Sequence, residues 1–201
     1  MAPELPPLGT HQVIVPLPQL DLDDLVPACE VLWQEGFRVW SVAAGEAGQL
    51  PGLLRFFGRR AHIGVHAARE AADVVGAAAA GAAFAACDYL LPALVAAAPE
   101  LPVVLGGLTP SELRAGLDAG AAAVQLVPTE AFGTAYARSL PELLLPAPLI
   151  ATGRLERYQA ELWLEAGAAG VCPRELVGHE LVSGDSLAGL RAKLQQWRLG
   201  D

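Results

Sequence analysis

Four helical segments of this chain each end in a glycine that leads directly into an apolar run of strand character. These glycines are Gly36, Gly81, Gly120 and Gly167. Glycine is favoured just after a helix because that position adopts a left-handed backbone, which costs a residue with a Cβ about 1 kcal/mol or more. Successive glycines lie 39 to 47 residues apart, about two strand–helix units, so the chain is predicted to repeat a β–α unit.

Short apolar runs alternate with amphipathic helical patterns along the whole chain. The predicted strands are Val13–Leu17, Phe37–Val42, Ala61–Val65, Ala83–Cys87, Val103–Gly106, Ala122–Val127, Leu149–Thr152 and Gly170–Cys172. Helical patterns between them include Leu22–Gln34, Ala68–Ala79, Ser111–Ala119 and Leu155–Glu165. Eight strands that alternate with helices predict an α/β fold, a (β/α)8 TIM barrel formed as a single small domain by residues 1–201.

The two ends of the chain have distinct patterns. Residues 1–9 are rich in proline, and we expect them to be frayed. Residues 185–198 carry leucines and a tryptophan at helical spacing, which predicts a closing helix with Asp185 or Ser186 as its N-cap. Lys193, the only lysine of the chain, is expected on the polar side of this helix, outside the barrel.

Composition excludes several classes of partner. A net charge of −9 without a basic cluster argues against nucleic acid and anionic membranes. The longest apolar run, near residues 74–86, is shorter than the ~20 residues of a membrane span. Three widely spaced cysteines and no basic, apolar leader predict reduced thiols in a cytoplasmic protein, and no cofactor or metal motif is present. A hydrophobic fraction of 53% indicates surface buried in a homo-oligomer.

The stretch Leu105–Leu113, continued by Val124–Gly133, resembles the class I 2-keto-3-deoxy-6-phosphogluconate / 4-hydroxy-2-oxoglutarate (KDPG/KHG) aldolase family. That family has a Thr-x-Ser-Glu-Leu helix start, followed by a Lys-x-Phe-Pro-Ala-Glu strand and glycines, and the spacing is kept here through Pro128 and Glu130. The resemblance extends over roughly residues 13–176. It implies a small (β/α)8 barrel, commonly trimeric, with aldehyde-lyase activity.

The chain departs from this family at the residues that carry the reaction. By the resemblance, Gln125 stands where the Schiff-base lysine is expected, and Ser41 stands where the acid/base glutamate is expected. The position of the substrate-clamping arginine falls near Gly45, and Arg154 replaces the second glycine of the phosphate loop. A Schiff base needs an unprotonated amine, which an amide cannot supply, and a serine does not titrate near neutral pH.

Polar residues at the predicted strand ends are candidates for a remaining site: His66, Cys87, Asp88, Gln125, Thr129, Glu130, Thr152, Arg154, Cys172 and Arg174. His66 either caps a helix that starts near residue 67 or faces a ligand. Cys87 and Cys172 are expected to be small buried fillers, and no close ligand spacing supports a metal site made of His66, Cys87 and Asp88. Asp88 is either a helix N-cap or a general acid/base, and so is Glu130 if both carboxylates face one cavity.

Anion binding is the function for which most residues remain. Thr152-Gly153-Arg154 is predicted to end a strand and open a helix, where backbone N–H groups favour negative charge. Pro173 and the surrounding run, however, replace the glycines that complete the family's phosphate cradle. The predicted ligand-binding residues are Gly106, Gly107, Thr109, Pro128, Thr152, Gly153, Arg154, His66 and Asp88.

Three functions remain open. The first is an aldolase-like barrel that has lost Schiff-base aldol cleavage and retains at most the binding of a small anion, a 2-oxo acid or a sugar phosphate. The second is an enzyme with changed acid/base chemistry on a phosphorylated or carboxylated small molecule. The third is an active 2-oxo-acid lyase that works by a route without lysine.

Overall fold

The fold is a barrel of eight parallel strands in a computed structural model that describes residues 3–144, 147–179 and 186–199. The strands are β1 (Ile14–Pro16), β2 (Val39–Ala43), β3 (His62–His66), β4 (Ala85–Cys87), β5 (Val103–Gly107), β6 (Ala123–Leu126), β7 (Leu149–Gly153) and β8 (Gly170–Pro173). Each pairs with the next in chain order. A parallel bridge between Val13 and Val171 joins the two edges, so the predicted barrel is confirmed.

Helices connect the strands on the outside of the barrel. They are α1 (Leu22–Gln34), α2 (Leu50–Phe57), α3 (Ala71–Ala80), α4 (Ala93–Ala97), α5 (Pro110–Asp118), α6 (Thr134–Leu144), α7 (Arg157–Glu165) and α8 (Ser186–Gln196). Two short 3-10 segments, Ala44–Gln49 and Thr129–Ala131, follow β2 and β6. The predicted α1 has the observed bounds, whereas α3 begins three residues later than its alanine-rich pattern indicated.

The four junction glycines have the backbone that the sequence predicts. Gly36, Gly81, Gly120 and Gly167 have φ values of 92°, 86°, 90° and 101°. All four lie in the left-handed region, just before a strand, at the amino-terminal end of the barrel. The side chains that follow the carboxyl ends of the strands therefore meet at the opposite face, where sites of this fold are found.

Side chains along each strand point alternately outward and inward, and this produces two hydrophobic cores. The larger core packs the outward side chains of the strands against the helices, with Trp40, Phe57 and Leu126 fully buried in the protein. A smaller core fills the barrel with inward residues: Ile14, Val39, Phe84, Val104, Ala123, Ile150 and Cys172. Because inward residues recur with period two, Gln125 follows Ala123 and Thr152 follows Ile150 into the interior, one layer nearer to the carboxyl ends.

The chain ends close the molecule. The N-terminal residues, for which fraying was expected, have no helix or strand, but Leu5 and Leu8 pack against the inner core because both side chains are apolar. The closing helix begins at Ser186, and the alternative N-cap Asp185 lies outside the described residues. Its end is attached through the buried Glu35, which pairs with Arg191 at 2.5 Å and with Arg198 at 2.7 Å. In the described residues, no helix combines the length and hydropathy needed to cross a membrane.

Candidate functional site

A cavity of about 770 Å³ opens at the carboxyl ends of the strands. Its floor is formed by apolar inner-core residues: Ile14, Phe84, Val104, Ile150 and Cys172. Polar side chains form a belt above this floor: Ser41, His66, Asp88, Gln125 and Thr152. Charged residues stand at the mouth: Arg69, Arg174, Glu175 and Lys193. The cavity is therefore apolar at depth and ionic at its entrance.

Gln125 lies in the centre of the polar belt with its amide group fully used. The side chain is only 3% exposed. Its Nε2 donates to the Cys87 carbonyl at 2.8 Å and to Asp88 Oδ1 at 3.2 Å. Its Oε1 accepts a hydrogen bond from Thr152 Oγ1 at 2.7 Å. Gln125 thus ties β4, β6 and β7 together across the barrel.

Asp88 belongs to the cavity and does not cap a helix. The helix after β4 begins at Ala93, with Pro92 at its N-cap position, so the N-cap prediction for Asp88 is wrong. The Asp88 carboxylate instead accepts hydrogen bonds from Gln125 and from the Arg174 guanidinium, with which it forms an ion pair. This pair spans the mouth between β4 and the end of β8.

His66 contacts Ser41 and faces the cavity. The helix that follows begins at Ala71 and has Glu70 at its N-cap, so the prediction that His66 caps it is wrong. The imidazole Nδ1 lies 3.0 Å from Ser41 Oγ. Burial lowers the pKa of His66 to about 4, and the neighbouring Arg174 guanidinium acts in the same direction. His66 is therefore neutral at pH 7.

Glu130 occupies the place that the sequence assigned to an external anion. The carboxylate accepts a hydrogen bond from the Arg154 backbone N–H at 3.1 Å, and a Cβ added at Gly153 would overlap it. The turn after β7 does not open a helix directly, because α7 begins only at Arg157. The Arg154 side chain turns away to Glu175, with 2.9 Å between Nε and Oε1. Glu130 and Asp88 consequently do not face one cavity, and the expected anion site holds a carboxylate of the protein itself.

Four other predicted ligand-binding residues lie outside the cavity lining. Gly106 is needed for packing, since a Cβ there would overlap the backbone of Asp88. Gly107 packs in the same way against Glu112. The side chain of Thr109 is the N-cap of α5 and accepts the Glu112 N–H at 3.3 Å. Pro128 follows a cis peptide bond after β6. Their roles toward a ligand stay predictions.

The cysteines at the strand ends, Cys87 and Cys172, are free thiols. Cys87 and Cys172 are buried, and burial raises the pKa of both thiols, that of Cys172 to about 12. His66 is part of the cavity lining, whereas Cys87 is not. No group of three metal-binding side chains occurs in the described parts of the chain.

Two cations at the mouth, Arg69 and Lys193, were missed as site residues. Arg174 was among the polar candidates at the strand ends, and it follows Cys172 at the inward period of two. Arg69 lies in the loop after β3, where periodicity gives no guide. Lys193, predicted to lie outside the barrel, instead lines the mouth, where its Nζ donates to the Glu175 carbonyl at 2.8 Å. The docking of α8 against the barrel end decides this position.

Comparison with known proteins identifies the class of protein that this barrel and its cavity define. The family model "KDPG and KHG aldolase" matches residues 8–189, so the chain belongs to that family. Among curated proteins, by contrast, no sequence matches significantly.

Solved structures of the same fold agree with this assignment. A KDPG aldolase from Legionella pneumophila, with pyruvate captured as a covalent carbinolamine intermediate, is 21% identical, with a TM-score of 0.83 over 94% of this chain and 95% of that one. A Zymomonas mobilis 2-keto-3-deoxy-6-phosphogluconate aldolase with 3-phosphoglycerate is 18% identical, with a TM-score of 0.81 over 97% and 93%. At such identities the likeness concerns the fold.

Proposed function

We propose that this protein is a KDPG/KHG aldolase-like barrel that binds a small anionic ligand, a 2-oxo acid or a sugar phosphate, without forming a Schiff base. One observation carries the proposal. Gln125, at the position where the resemblance places the lysine, has both ends of its amide bonded inside the barrel. An amide nitrogen has its lone pair delocalised into the carbonyl, so it does not attack a ligand carbonyl.

The neighbouring residues support the loss of aldol cleavage. Ser41, at the position of the acid/base glutamate, is buried and bonded to His66. A serine hydroxyl does not titrate near neutral pH and so does not replace a carboxylate in moving protons. Lys193 carries the only side-chain amine, and its Nζ is held at the mouth by the Glu175 carbonyl.

The charges at the mouth support anion binding. Among the described residues, the cavity lining has three cationic side chains and two carboxylates, in a chain whose net charge is −9. No described residue forms an ion pair with the Arg69 guanidinium, which is exposed and lines the same cavity as His66. An arginine without a carboxylate partner at a cavity mouth is suited to binding a ligand carboxylate or phosphate.

A second function rests on His66. His66 lines the cavity, and histidine is the side chain that most often moves protons in enzymes. Its pKa of about 4 makes the neutral imidazole a weak base at pH 7 and the imidazolium a strong acid. This supports changed acid/base chemistry, such as an enolisation, as the alternative. Glu130 has no part in it, because its carboxylate is engaged at Arg154.

Borohydride trapping tests the loss of Schiff-base chemistry. The protein is incubated with pyruvate and borohydride, and intact mass spectrometry is expected to show no reduced adduct. Peptide mapping and a Lys193→Arg variant identify any adduct at the mouth. A reduced pyruvyl adduct that disappears in Lys193→Arg would contradict the proposal and favour an active lyase that uses the migrated amine.

A thermal-shift screen tests binding. Ligand at about one hundred times its Kd stabilises a protein by ~2.7 kcal/mol, which is a measurable shift in Tm. We expect a shift with at least one class among 2-oxo acids and sugar phosphates. Loss of that shift in Arg174→Gln, with Arg138→Gln as an exposed control, would locate the ligand at the mouth. No shift with any anion would refute binding.

We also propose that the protein is a homo-oligomer, a trimer by the family resemblance. Large apolar side chains that are more than 40% exposed support an interface; examples are Phe56, Leu143 and Tyr158. Light scattering coupled to size exclusion measures the mass directly. A monomer at micromolar concentration would contradict this part of the proposal.

A further inference from the structure

The floor of the cavity is apolar and uncharged. Phe84, Val104 and Ile150 belong to the inner core and close the cavity from below, each with about 1% of its surface exposed. Cys172 beside them is a neutral thiol, since burial keeps it protonated. Ligand surface placed against this floor leaves water without meeting a charge, which is favourable only for an apolar group.

The polar belt offers few hydrogen bonds to a ligand. The amide of Gln125 is bonded to Cys87, Asp88 and Thr152, and Ser41 is bonded to His66. A polyhydroxylated ligand would have to break these bonds or leave its own hydroxyl groups unpaired, which costs free energy. The belt is therefore poorly suited to a sugar chain.

The turn after β7 is closed to a phosphate. Glu130 accepts the Arg154 N–H from the side on which an anion would bind, and a second negative charge there would be repelled. Pro173, at the end of β8, has no N–H to donate. The cationic side chains of the cavity lining stand at its mouth: Arg69, Arg174 and Lys193.

From these three features we infer that the ligand is an amphipathic carboxylate, an aliphatic acid rather than a sugar phosphate. This inference rests on the proposed anion-binding function and names its ligand class. The carboxylate binds at the mouth beside Arg69 and Arg174. The aliphatic tail lies against half-buried apolar side chains of the lining, of which Ala43 and Ala86 are examples. A cavity of about 770 Å³ is large enough for such a tail, within the usual range for small-molecule sites.

Isothermal titration with a series of acids tests the inference. The probes are 2-oxobutanoate, 2-oxohexanoate, 2-oxooctanoate, octanoate, neutral 1-octanol and 6-phosphogluconate. We expect the affinity of the oxo acids to rise about fourfold per added methylene, the fold-change that corresponds to ~0.8 kcal/mol for each buried CH₂. Octanoate is expected to bind, whereas 1-octanol and 6-phosphogluconate are expected to bind at least about tenfold more weakly than 2-oxooctanoate, because a charge-assisted bond is worth ~1.5 kcal/mol or more.

Variants locate the two ends of the ligand. Ala86 lines the cavity on β4 and packs against the inner core, so Ala86→Leu fills the floor and is expected to abolish the chain-length dependence while short acids still bind. Ala79→Leu, on the exposed face of α3, is the matched control. Arg69→Gln is expected to weaken all acids about tenfold or more, whereas the exposed Arg59→Gln leaves them unchanged. If Ala86→Leu does not fold, the series on the wild-type protein still decides.

The outcomes separate the inference from the function on which it rests. Affinity that rises with chain length and needs the carboxylate supports both. Equal binding of 2-oxobutanoate and 2-oxooctanoate, or tighter binding of 6-phosphogluconate, overturns the amphipathic ligand and leaves anion binding standing. No binding of any acid overturns both. Chain-length dependence that persists in Ala86→Leu places the tail elsewhere and also overturns the inference.

Discussion

Replacement of Gln125 by leucine tests the hydrogen-bond network at the centre of the barrel. The new side chain has a similar size but neither donates nor accepts. The Cys87 carbonyl and the Thr152 hydroxyl each lose a partner at 2.7–2.8 Å in a buried part of the barrel. A buried polar group without a partner costs ~1–3 kcal/mol, partly offset by the apolar leucine, so we expect the free energy of unfolding to fall by about 2–4 kcal/mol.

Urea unfolding followed by circular dichroism measures this change. A shift of the midpoint with an unchanged m-value identifies a loss of stability rather than a change in the unfolded state. Gln195→Leu, on the exposed side of α8, is the control and should change stability by less than about 0.5 kcal/mol. If Gln125→Leu is no more destabilising than this control, Gln125 does not hold the barrel strands as described.

A double-mutant cycle sharpens the test. Thr152→Val removes the hydroxyl that donates to Gln125 with almost no change of shape. Since replacing both partners of a buried hydrogen bond costs less than removing one, the double variant should be more stable than the sum of the single changes by at least about 0.5 kcal/mol. Strict additivity would show that the two side chains do not interact.

Three further changes test local features. The pKa of His66 is lowered to about 4, so between pH ~6.5 and 4 the unfolded chain binds a proton that the folded protein does not bind. The free energy of unfolding should therefore be complete above pH 6.5, fall toward pH 4, and fall less in His66→Gln. Urea unfolding at pH 7.5 and 4.5 measures both proteins, and an equal loss of stability in both would contradict this prediction. Gly120→Ala should lower the free energy of unfolding by about 1–2 kcal/mol in the same assay, because the backbone at Gly120 has a φ of 90°. Gly76→Ala lies in open space within α3 and should raise the free energy of unfolding by about 0.5–1 kcal/mol. Equal effects of the two changes would contradict the role of the left-handed backbone. Glu35→Ala should lower the Tm, and it should lower the free energy of unfolding by about 1–3 kcal/mol, because Arg191 and Arg198 lose their shared buried carboxylate. Glu30→Ala, which breaks a half-exposed ion pair with Arg60, should cost less than about 1 kcal/mol.

Much of the barrel was predictable because its signals are local. A left-handed residue before a strand selects glycine wherever it occurs, so Gly36, Gly81, Gly120 and Gly167 indicated the repeated unit without any knowledge of packing. Eight apolar runs at regular spacing gave strands within two residues of their observed ends. The helices α2, α4 and α6 were not singled out, and in α4 five residues are too few for a helical period to be visible.

The candidate site was predictable only in part. The period of two places Gln125, Thr152 and Asp88 in the interior from the sequence. The hydrogen-bond partner of each side chain was not predictable. Helix N-caps and cavity residues are the same residue types, and both occur directly after a strand. For His66 and Asp88 the sequence therefore left two roles open, a helix cap or a site residue. Because α3 and α4 start later than residues 67 and 89, the two side chains bond Ser41 and Arg174 instead of capping a helix.

The amino-acid sequence by itself determined the barrel, its family and the identity of residue 125, because these depend on periodicity, glycine backbone and motif spacing within single segments. Only the tertiary structure decided which charges meet. Three contacts show this: Arg174 with Asp88, the Arg154 N–H with Glu130, and Lys193 with the Glu175 carbonyl. Each joins residues at least 18 positions apart in the chain. Coulomb and hydrogen-bond energies depend on distances in space, and closure of the barrel sets those distances.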